Sequence, residues 1–487
     1  MAEHFNKLLK STILYLPAQF MPPFVQFVTT VVWTYLLDPA TFGFVNFIIS
    51  IQEIMACAGL TGWTLYMLRF RERFRGRDEN RFRAMDKRMT LLGAATQFVL
   101  TPPLLLLLGL PCDAPTIVAA ASYLVTRMAL THYGDWARAD HAIGAYTIGQ
   151  VVGAVVGSLL SIVAILSFGA SSAVVLAAQA VGQALALALL VSRTNIRFGV
   201  GTFDSELFGE VRRYAAPALI GGVIGWVAGN VIRVLVQYMD GAVALGLISV
   251  GWGLGQRIAG VLAMLLTAAA YPLAVKHLEA GDRKGALAQV SFNGLLLFGV
   301  LLPAAVGATL LSEPIVTLLI AEKFRATTIV ILPIALCAAS LRFLRLHTCE
   351  QTLLLLERTQ VTMYITMIES TLNVTLCALG LYFYGYFGAA AGMLIGSAIV
   401  CVGAFAFCFA RLGLPAPPAW TALRVVLACA AMGLVVRALP VSATAPSLAL
   451  AITLGAASYA VCLALLFPAI RALLAGRFFP FPREATP

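Results

Sequence analysis

The chain has 487 residues, of which 60% are hydrophobic and only 11% charged, and its mean hydropathy is +0.91. A soluble domain carries roughly 25% charged and about 45–50% apolar residues, so this chain lacks the charge to clothe a surface in water. If a helical span takes about 20 residues, fourteen spans use roughly 280 positions and leave about 200 for caps and loops, which excludes a sizeable soluble domain.

The formal net charge of +11 does not point to nucleic acid. Lys and Arg gather in short segments between apolar runs, as the positive-inside rule expects of cytoplasmic loops. Of the nine cysteines, eight lie within apolar runs and Cys112 alone falls in a turn. No CxxC pair or Cys/His metal spacing occurs, so they read as small buried hydrophobes, neither disulfides nor ligands. No cofactor and no metal is expected. Lys7 and Lys10 precede an apolar run too long for a cleaved leader, which reads as a first span.

In chain order, spans one and two are expected near 12–37 and 42–68, joined by the turn Asp38-Pro39-Ala40-Thr41. A basic loop at 69–88 follows, with nine Arg/Lys against four Asp/Glu. Spans three to six fall near 90–110, 115–133, 143–167 and 172–192, and a polar linker occupies 193–213. Spans seven to twelve fall near 214–238, 243–272, 287–311, 327–356, 360–383 and 388–410. After Leu414-Pro415-Ala416-Pro417-Pro418 come spans thirteen and fourteen, near 420–439 and 448–467. The expected organisation is an N-terminal lobe (1–192), the linker (193–213), a C-terminal lobe (214–411), and two extra spans with a tail (412–487).

Charge orients the map. With the N-terminus inside, cytoplasmic segments and span ends hold about 25 of the 33 Lys and Arg, whereas external turns hold about three, Lys323, Arg325 and Arg437. Arg127, Arg233, Arg257, Arg342 and Arg345 fall within spans. The bias favours both termini in the cytoplasm and an even count, fourteen with twelve as the neighbouring alternative.

A weak internal repeat is also present. Tyr15-Leu16-Pro17 opens span one and Asp38-Pro39-Ala40-Thr41-Phe42-Gly43 closes it, as Ala215-Ala216-Pro217 and Asp240-Gly241-Ala242-Val243-Ala244-Leu245-Gly246 do for span seven. Pro17, Pro22 and Pro23 interrupt one copy, and Pro217, Gly221, Gly222 and Gly225 the other. Paired interrupted helices in a parallel repeat suit a two-lobe alternating-access transporter.

Polar side chains are costly in lipid, so their helical spacing is informative. Trp226, Asn230, Arg233 and Gln237 recur at one helix face, and so do Asn46, Ser50, Glu53 and Cys57. Span eleven aligns Thr362, Thr366, Glu369 and Asn373. Span one offers Tyr15, Gln19, Gln26 and Trp33, and span eight Ser249, Trp252 and Gln256 with Arg257 at the edge. Arg342 and Arg345, three apart, share a face of span ten. These stripes suggest a hydrated cavity between two lobes. The blander reading is interhelical hydrogen bonding, worth about 0.6 kcal/mol per pair, and Arg127 near a cytoplasmic end can simply snorkel. Glu53 and Glu369 are read either as proton carriers or as counter-ions to the arginines.

No GxxxxGK[ST] occurs, so no nucleotide hydrolysis is encoded, and no HExxH suggests an enzyme. Gly149, Gly153 and Gly157 read as a close-packing stripe.

Several stretches carry a family resemblance. These are Leu36-Leu37-Asp38-Pro39-Ala40-Thr41-Phe42-Gly43 after span one, Tyr214-Ala215-Ala216-Pro217, and the 240–246 turn. Glu279-Ala280-Gly281-Asp282-Arg283 with Lys284, and Tyr386-Phe387-Gly388-Ala389-Ala390-Ala391-Gly392, complete the set. In order and spacing, over residues 8 to 412, they resemble the bacterial polysaccharide transporters, or O-antigen (Wzx-type) flippases. These belong to the multidrug/oligosaccharidyl-lipid/polysaccharide exporter superfamily. The chain departs from many relatives in having Ile232 where an Asp would precede Arg233, and from related lipid II flippases in having Gln19 and Gln26 where the first span carries a basic residue.

The resemblance implies an all-α polytopic membrane protein with two pseudo-symmetric six-helix lobes around a central cavity plus two C-terminal helices. It implies a monomeric, non-enzymatic flippase of the bacterial inner membrane, moving an undecaprenyl-pyrophosphate-linked oligosaccharide to the periplasmic leaflet for exopolysaccharide or O-antigen synthesis, with polysaccharide polymerase and chain-length machinery as partners. A diphosphate suits the arginine fork, and a sugar suits Asn, Gln and aromatic platforms. The expected substrate contacts are therefore Arg127, Arg233, Arg257, Arg342, Arg345, Asn230, Gln237, Trp226, Trp252, Gln256, Gln19 and Gln26. Two rivals remain at this stage. A cation-coupled multidrug exporter would need an acidic cavity, and a membrane polymerase or ligase would need a large external loop.

Overall fold

The computed structural model describes residues 2–76, 78–194, 196, 199, 202–468 and 471, with side chains from residue 17 onward apart from 268 and 269. The side chains of Lys7, Lys10 and Tyr15, and the tail beyond 471, lie outside that description. Among the described residues the chain forms only helices and loops.

Helix starts are set by short-range chemistry. Asp38 accepts hydrogen bonds from the backbone N–H groups of Ala40 (2.9 Å) and Thr41 (3.1 Å) ahead of α2 (Pro39–Gly59). Asp113 does the same for Thr116 (3.1 Å) at the start of α5 (Ala114–Ala139). Such caps replace the water that the first turn's orphan N–H groups lose. Between α1 (Ala2–Leu36) and α5, α2 is followed by α3 (Thr61–Phe70), a 3₁₀ turn (Arg71–Phe74) and α4 (Glu79–Leu107). Span two is thus two helices rather than one, broken at Leu60 (φ −131°, ψ −21°). Span three begins earlier than its apolar run, inside the basic loop.

α6 (Ile143–Phe168) and α7 (Ser172–Ser192) pack through the glycine stripe: a Cβ on Gly182 would meet the Cα of Gly157 at 2.4 Å. α8 (Ser205–Glu279) is too long to be one span, since 75 residues at about 1.5 Å each far exceed a hydrocarbon core of about 30 Å. Gly241 breaks it with φ 82°, a backbone conformation that side chains with a Cβ rarely adopt. α9 (Arg283–Leu310), capped by Asp282 on Gly285 N (2.8 Å), leads to α10 (Ser312–Leu319) and α11 (Glu322–Arg345). A π-turn (Leu346–Glu350) and α12 (Gln351–Leu355) extend α11. α13 (Thr359–Phe407) turns back at Gly385, so that Gly380 and Gly388 meet backbone to backbone. A second π-turn (Cys408–Leu412), α14 (Ala419–Ala438) and α15 (Ala445–Leu466) complete the chain.

Ten helical stretches among the described residues are long and apolar enough to cross a membrane. α8 and α13 each supply two spans, and α1 and α5 join them, which gives the fourteen-helix arrangement expected from the sequence.

Two compact units emerge, residues 1–250 with 363–396 and residues 251–362 with 397–487. The first has a core around Leu60, Trp63, Phe82, Met85, Trp136 and Leu190. The second packs Ala259, Leu297, Leu301 and Leu336 in one cluster, and Leu311, Met432, Val436 and Leu448 in another. Within the first unit the two turns of the internal repeat dock on each other. A Cβ on Gly246 would lie 1.8 Å from Pro39 O, and one on Gly43 2.4 Å from Ala242 O. Gly246→Ala is therefore expected to cost at least about 1–3 kcal/mol through forced separation, whereas Gly222→Ala, with open space around it, should be neutral or stabilising. Thermal unfolding of both variants in detergent checks this, and equal midpoints would contradict the close approach.

Candidate functional site

The first part of α8, residues 205–240, is held from two sides. Trp226 Nε1 donates to Ser50 O of α2 at 2.8 Å. Ser370 Oγ donates to Ile224 O at 2.6 Å and Asn373 Nδ2 to Ala228 O at 2.7 Å, both from α13. Residues two apart on a helix point to opposite sides, so α2 and α13 grip opposite faces. Near its start the same helix meets α3, where a Cβ on Gly62 would be 3.2 Å from Leu219 and 3.3 Å from Ala215.

The face carrying Trp226 continues through Asn230, Arg233 and Gln237, as the spacing indicates. Asn230 Nδ2 donates to Trp226 O (3.2 Å), and Arg233 Nη1 donates to Asn230 Oδ1. Gln237 is buried and its amide reaches Leu108 O at 3.4 Å. The Nε–H of Arg233 is buried and has no hydrogen-bond partner among the described residues. Glu53 of α2 lies within Coulombic range of Arg233 and is itself exposed. The polar stripes of spans two and seven thus come together, through Ser50 with Trp226 and Glu53 with Arg233. Asn46 and Ser50 turn their side-chain donors onto their own helix, at Phe42 O (3.0 Å) and Phe47 O (2.8 Å). Glu369 is buried on α13 one turn from Asn373.

The remaining candidates are more scattered. Arg127 is half-buried on α5, one turn from Tyr123. On α1, Gln19 is half-buried and Gln26 exposed. In the second unit Trp252 is buried with its indole N–H unbonded among the described residues, and Gln256 and Arg257 are half-buried beside it. That segment packs tightly on α11: a Cβ on Gly255 would be 2.7 Å from Leu336 N. Arg342, half-buried, and Arg345, 1% exposed, lie at the end of α11.

Arg345 does not simply repeat Arg342. Its guanidinium donates to the carboxylate of Glu350, five residues on. In an α-helix residues five apart diverge by about 140°, but the π-turn at 346–350 closes that angle and aligns the pair. The helical periodicity of the sequence carried no signal for this pairing. Nor did the sequence reading single out Asp86 or His132, which are 46 positions apart and meet as a buried pair. Only burial reveals them.

An apolar cavity of about 510 Å³ opens in the second unit, lined by Pro303, Gly307, Met432, Val436, Gly455 and Tyr459. Among the described residues no cluster of His, Cys, Asp and Glu has the makings of a metal site.

Residues 8–278 match the model of the family described as polysaccharide biosynthesis protein. No curated protein matches the chain. Among solved structures, the fold is similar to the lipid II flippase MurJ in an inward closed conformation, with TM-score 0.78 and 12% identity over 94% of this chain and 100% of that one. It is also similar to an inward-facing multidrug resistance MATE transporter of the MOP superfamily, with TM-score 0.62 and 13% identity over 85% and 98%. A third is a MOP superfamily transporter from Pyrococcus furiosus described by a reversed polarity of its binding pocket, with TM-score 0.53 and 15% identity over 83% and 95%.

The π-turn pairing has a direct test. Removing one partner of a buried ion pair costs about 3–5 kcal/mol, more than replacing both by apolar groups. Thermal unfolding should therefore rank wild type above Glu350→Gln, with Glu350→Ala lowest, and Arg345→Met combined with Glu350→Ala should recover part of the loss. No recovery in the double variant would show that Glu350 does not serve Arg345.

Proposed function

The chain belongs to the polysaccharide biosynthesis protein family and has the fold of MurJ and MATE transporters; from that premise we propose that it is a flippase for a lipid-linked oligosaccharide. The substrate is an undecaprenyl-diphosphate-linked repeat unit carried from the cytoplasmic to the periplasmic leaflet of the inner membrane by alternating access, for exopolysaccharide or O-antigen assembly. Both termini are cytoplasmic, and the lobes are those expected at 1–192 and 214–411. Polymerase and chain-length proteins then receive the product.

The observation that supports this reading most is the Trp226–Asn230–Arg233 face. It offers an aromatic platform, an amide and a guanidinium with an unspent buried N–H, the side-chain types that a sugar diphosphate engages. Within the first unit Arg127 is assigned to substrate contact together with Gln237, Gln19 and Gln26, and within the second unit, taken by itself, Arg257 and Arg342 are assigned to an anion and Trp252 and Gln256 to a sugar. An arginine at mid-membrane costs about 2.5–3.5 kcal/mol on insertion scales, a cost that an anionic ligand offsets and a cationic drug would raise. Glu53 serves as the charge partner that holds Arg233 between substrates, and Glu369 as a coupling carboxylate. The apolar cavity bounded by Pro303 and Tyr459 fits a segment of the polyprenyl tail.

Hydrogen bonds to charged groups are worth about 1.5–3 kcal/mol, or about 10- to 150-fold in binding. Polymer export should fall in the order wild type, Lys, Gln at two or more of Arg233, Arg257 and Arg342, while Arg127→Lys is tolerated best; Arg345, expected from the sequence as a fourth, is instead taken up by Glu350. Surface polymer, scaled to membrane expression, is the measurement. Unchanged export in all three Gln variants would remove the head-group assignment.

A further inference from the structure

One end of the first unit is basic and the other is not. The turns at one end of its helices, 104–116, 165–175, 234–246 and 378–390, contain no Lys or Arg. At the other end, the segments 69–88 and 193–213 carry Arg69, Arg73 and Arg213, all exposed. Within that end, one place joins cations to aromatic rings and leaves the cations without carboxylates.

The end of α3 meets the start of α8 through aromatic rings. Phe70 packs edge-on against Tyr214 with ring centroids 5.0 Å apart, and Tyr66 meets the same ring at 6.0 Å. Arg73, in the 3₁₀ turn that follows α3, lies over the Phe70 ring at 4.2 Å. It is also within Coulombic range of the Tyr66 hydroxyl, which donates to Glu210 Oε2 at 2.7 Å. Arg213 stands three residues on from Glu210, on the same side of its helix. The rings and Glu210 thus bring the Arg73 side chain and the Arg213 position to one seam between two helices.

The nearby acids are committed elsewhere. Arg75 takes Glu72 at 3.1 Å and Asp140 at 3.2 Å, and Arg81 takes Asp204 and, at 3.5 Å, Glu206. Glu79 pairs with Arg71 at 3.0 Å and Arg83 at 2.6 Å. Among the described residues Arg69, Arg73 and Arg213 have no carboxylate within ion-pair distance. Tyr214 is 43% exposed beside them. Pro217 and Ile220, four and seven residues on from Arg213, are exposed on its face of the helix as span seven begins. A surface that is cationic at its tip and apolar toward the span is complementary to a phospholipid, with phosphate at the arginines and chains beyond.

We propose that this seam binds one anionic phospholipid, its phosphate held between Arg73 and Arg213 with Arg69 at the edge, and its chains along Tyr214, Pro217 and Ile220. A zwitterionic lipid offers the same phosphate but brings its own cation to the arginines, so the site selects net negative charge. A phosphate shared by two guanidiniums ties the 3₁₀ turn to the first turns of α8, and it steadies the helix that carries Trp226, Asn230 and Arg233.

The inference does not depend on which substrate the fold carries, so its test uses none. Native mass spectrometry of the full chain in detergent, with phosphatidylglycerol or phosphatidylcholine added, counts bound lipid and gives its affinity. Phosphatidylglycerol should bind in preference. A basic residue at an anionic surface contributes about fivefold in binding. Arg73→Gln and Arg213→Gln should therefore each weaken phosphatidylglycerol about fivefold, and together about 20- to 30-fold. Arg193→Gln, exposed at the end of α7, should leave it unchanged. In nanodiscs, adding phosphatidylglycerol to phosphatidylcholine should slow hydrogen exchange of residues 61–74 and 205–219 about fivefold in the wild type but not in the double variant, with α6 unchanged in both. Equal affinity in the wild type and the double variant, equal binding of the two lipids, or the same protection from inorganic phosphate in phosphatidylcholine discs would overturn the proposal. The last two are read on the wild type alone.

Discussion

A polar side chain in the hydrocarbon region has no water to bond, so it must find a partner in the protein, and the carbonyls of neighbouring helices are the nearest acceptors. Three such bonds, Trp226 to Ser50 O, Ser370 to Ile224 O and Asn373 to Ala228 O, fix the first part of α8 between α2 and α13. Each is modest in energy, yet together they set the rotation of that helix about its axis. That rotation decides where Asn230 and Arg233 point. The polar face is thus a consequence of how its helix is clamped, and the clamp belongs to the same unit as the face it positions.

Within that frame, arginine is spent in two ways. Arg345 is buried and paired with Glu350 across a π-turn, a structural use that satisfies the charge internally. Arg233 gives one nitrogen to Asn230 and leaves Nε–H unspent, with Glu53 only within Coulombic range. A guanidinium satisfied in part is stable enough to be carried in the bilayer and still has a donor left for an anion. The basic segment at 71–83 uses arginine differently again, in a network of Arg83 and Arg71 on Glu79 that holds that carboxyl below its usual range.

Much of this was legible before any coordinates. The turn residue Asp38 marks a helix start by local chemistry alone, and the Gly149, Gly153, Gly157 stripe marks a helix contact because only small residues allow it. The spacing of Trp226, Asn230, Arg233 and Gln237 located the polar face because helical period is a local property. What periodicity cannot express was missed. The break at Leu60 depends on the packing of α3 against α4, α5 and α8. The Arg345–Glu350 pair depends on a π-turn that violates the period itself. Asp86 and His132 meet only through tertiary structure, and in sequence Asp86 reads as one more charge in a basic loop.

The central claim is that this family member carries a lipid diphosphate across the bilayer. Purified protein in proteoliposomes, loaded in one leaflet with a fluorescent polyprenyl-diphosphate-linked saccharide, tests it most directly, with a membrane-impermeant lectin reporting arrival in the opposite leaflet. The account predicts protein-dependent arrival that an excess of unlabelled polyprenyl diphosphate suppresses. Arrival no faster than in protein-free vesicles, from protein that does export an organic cation from the same vesicles, would contradict it.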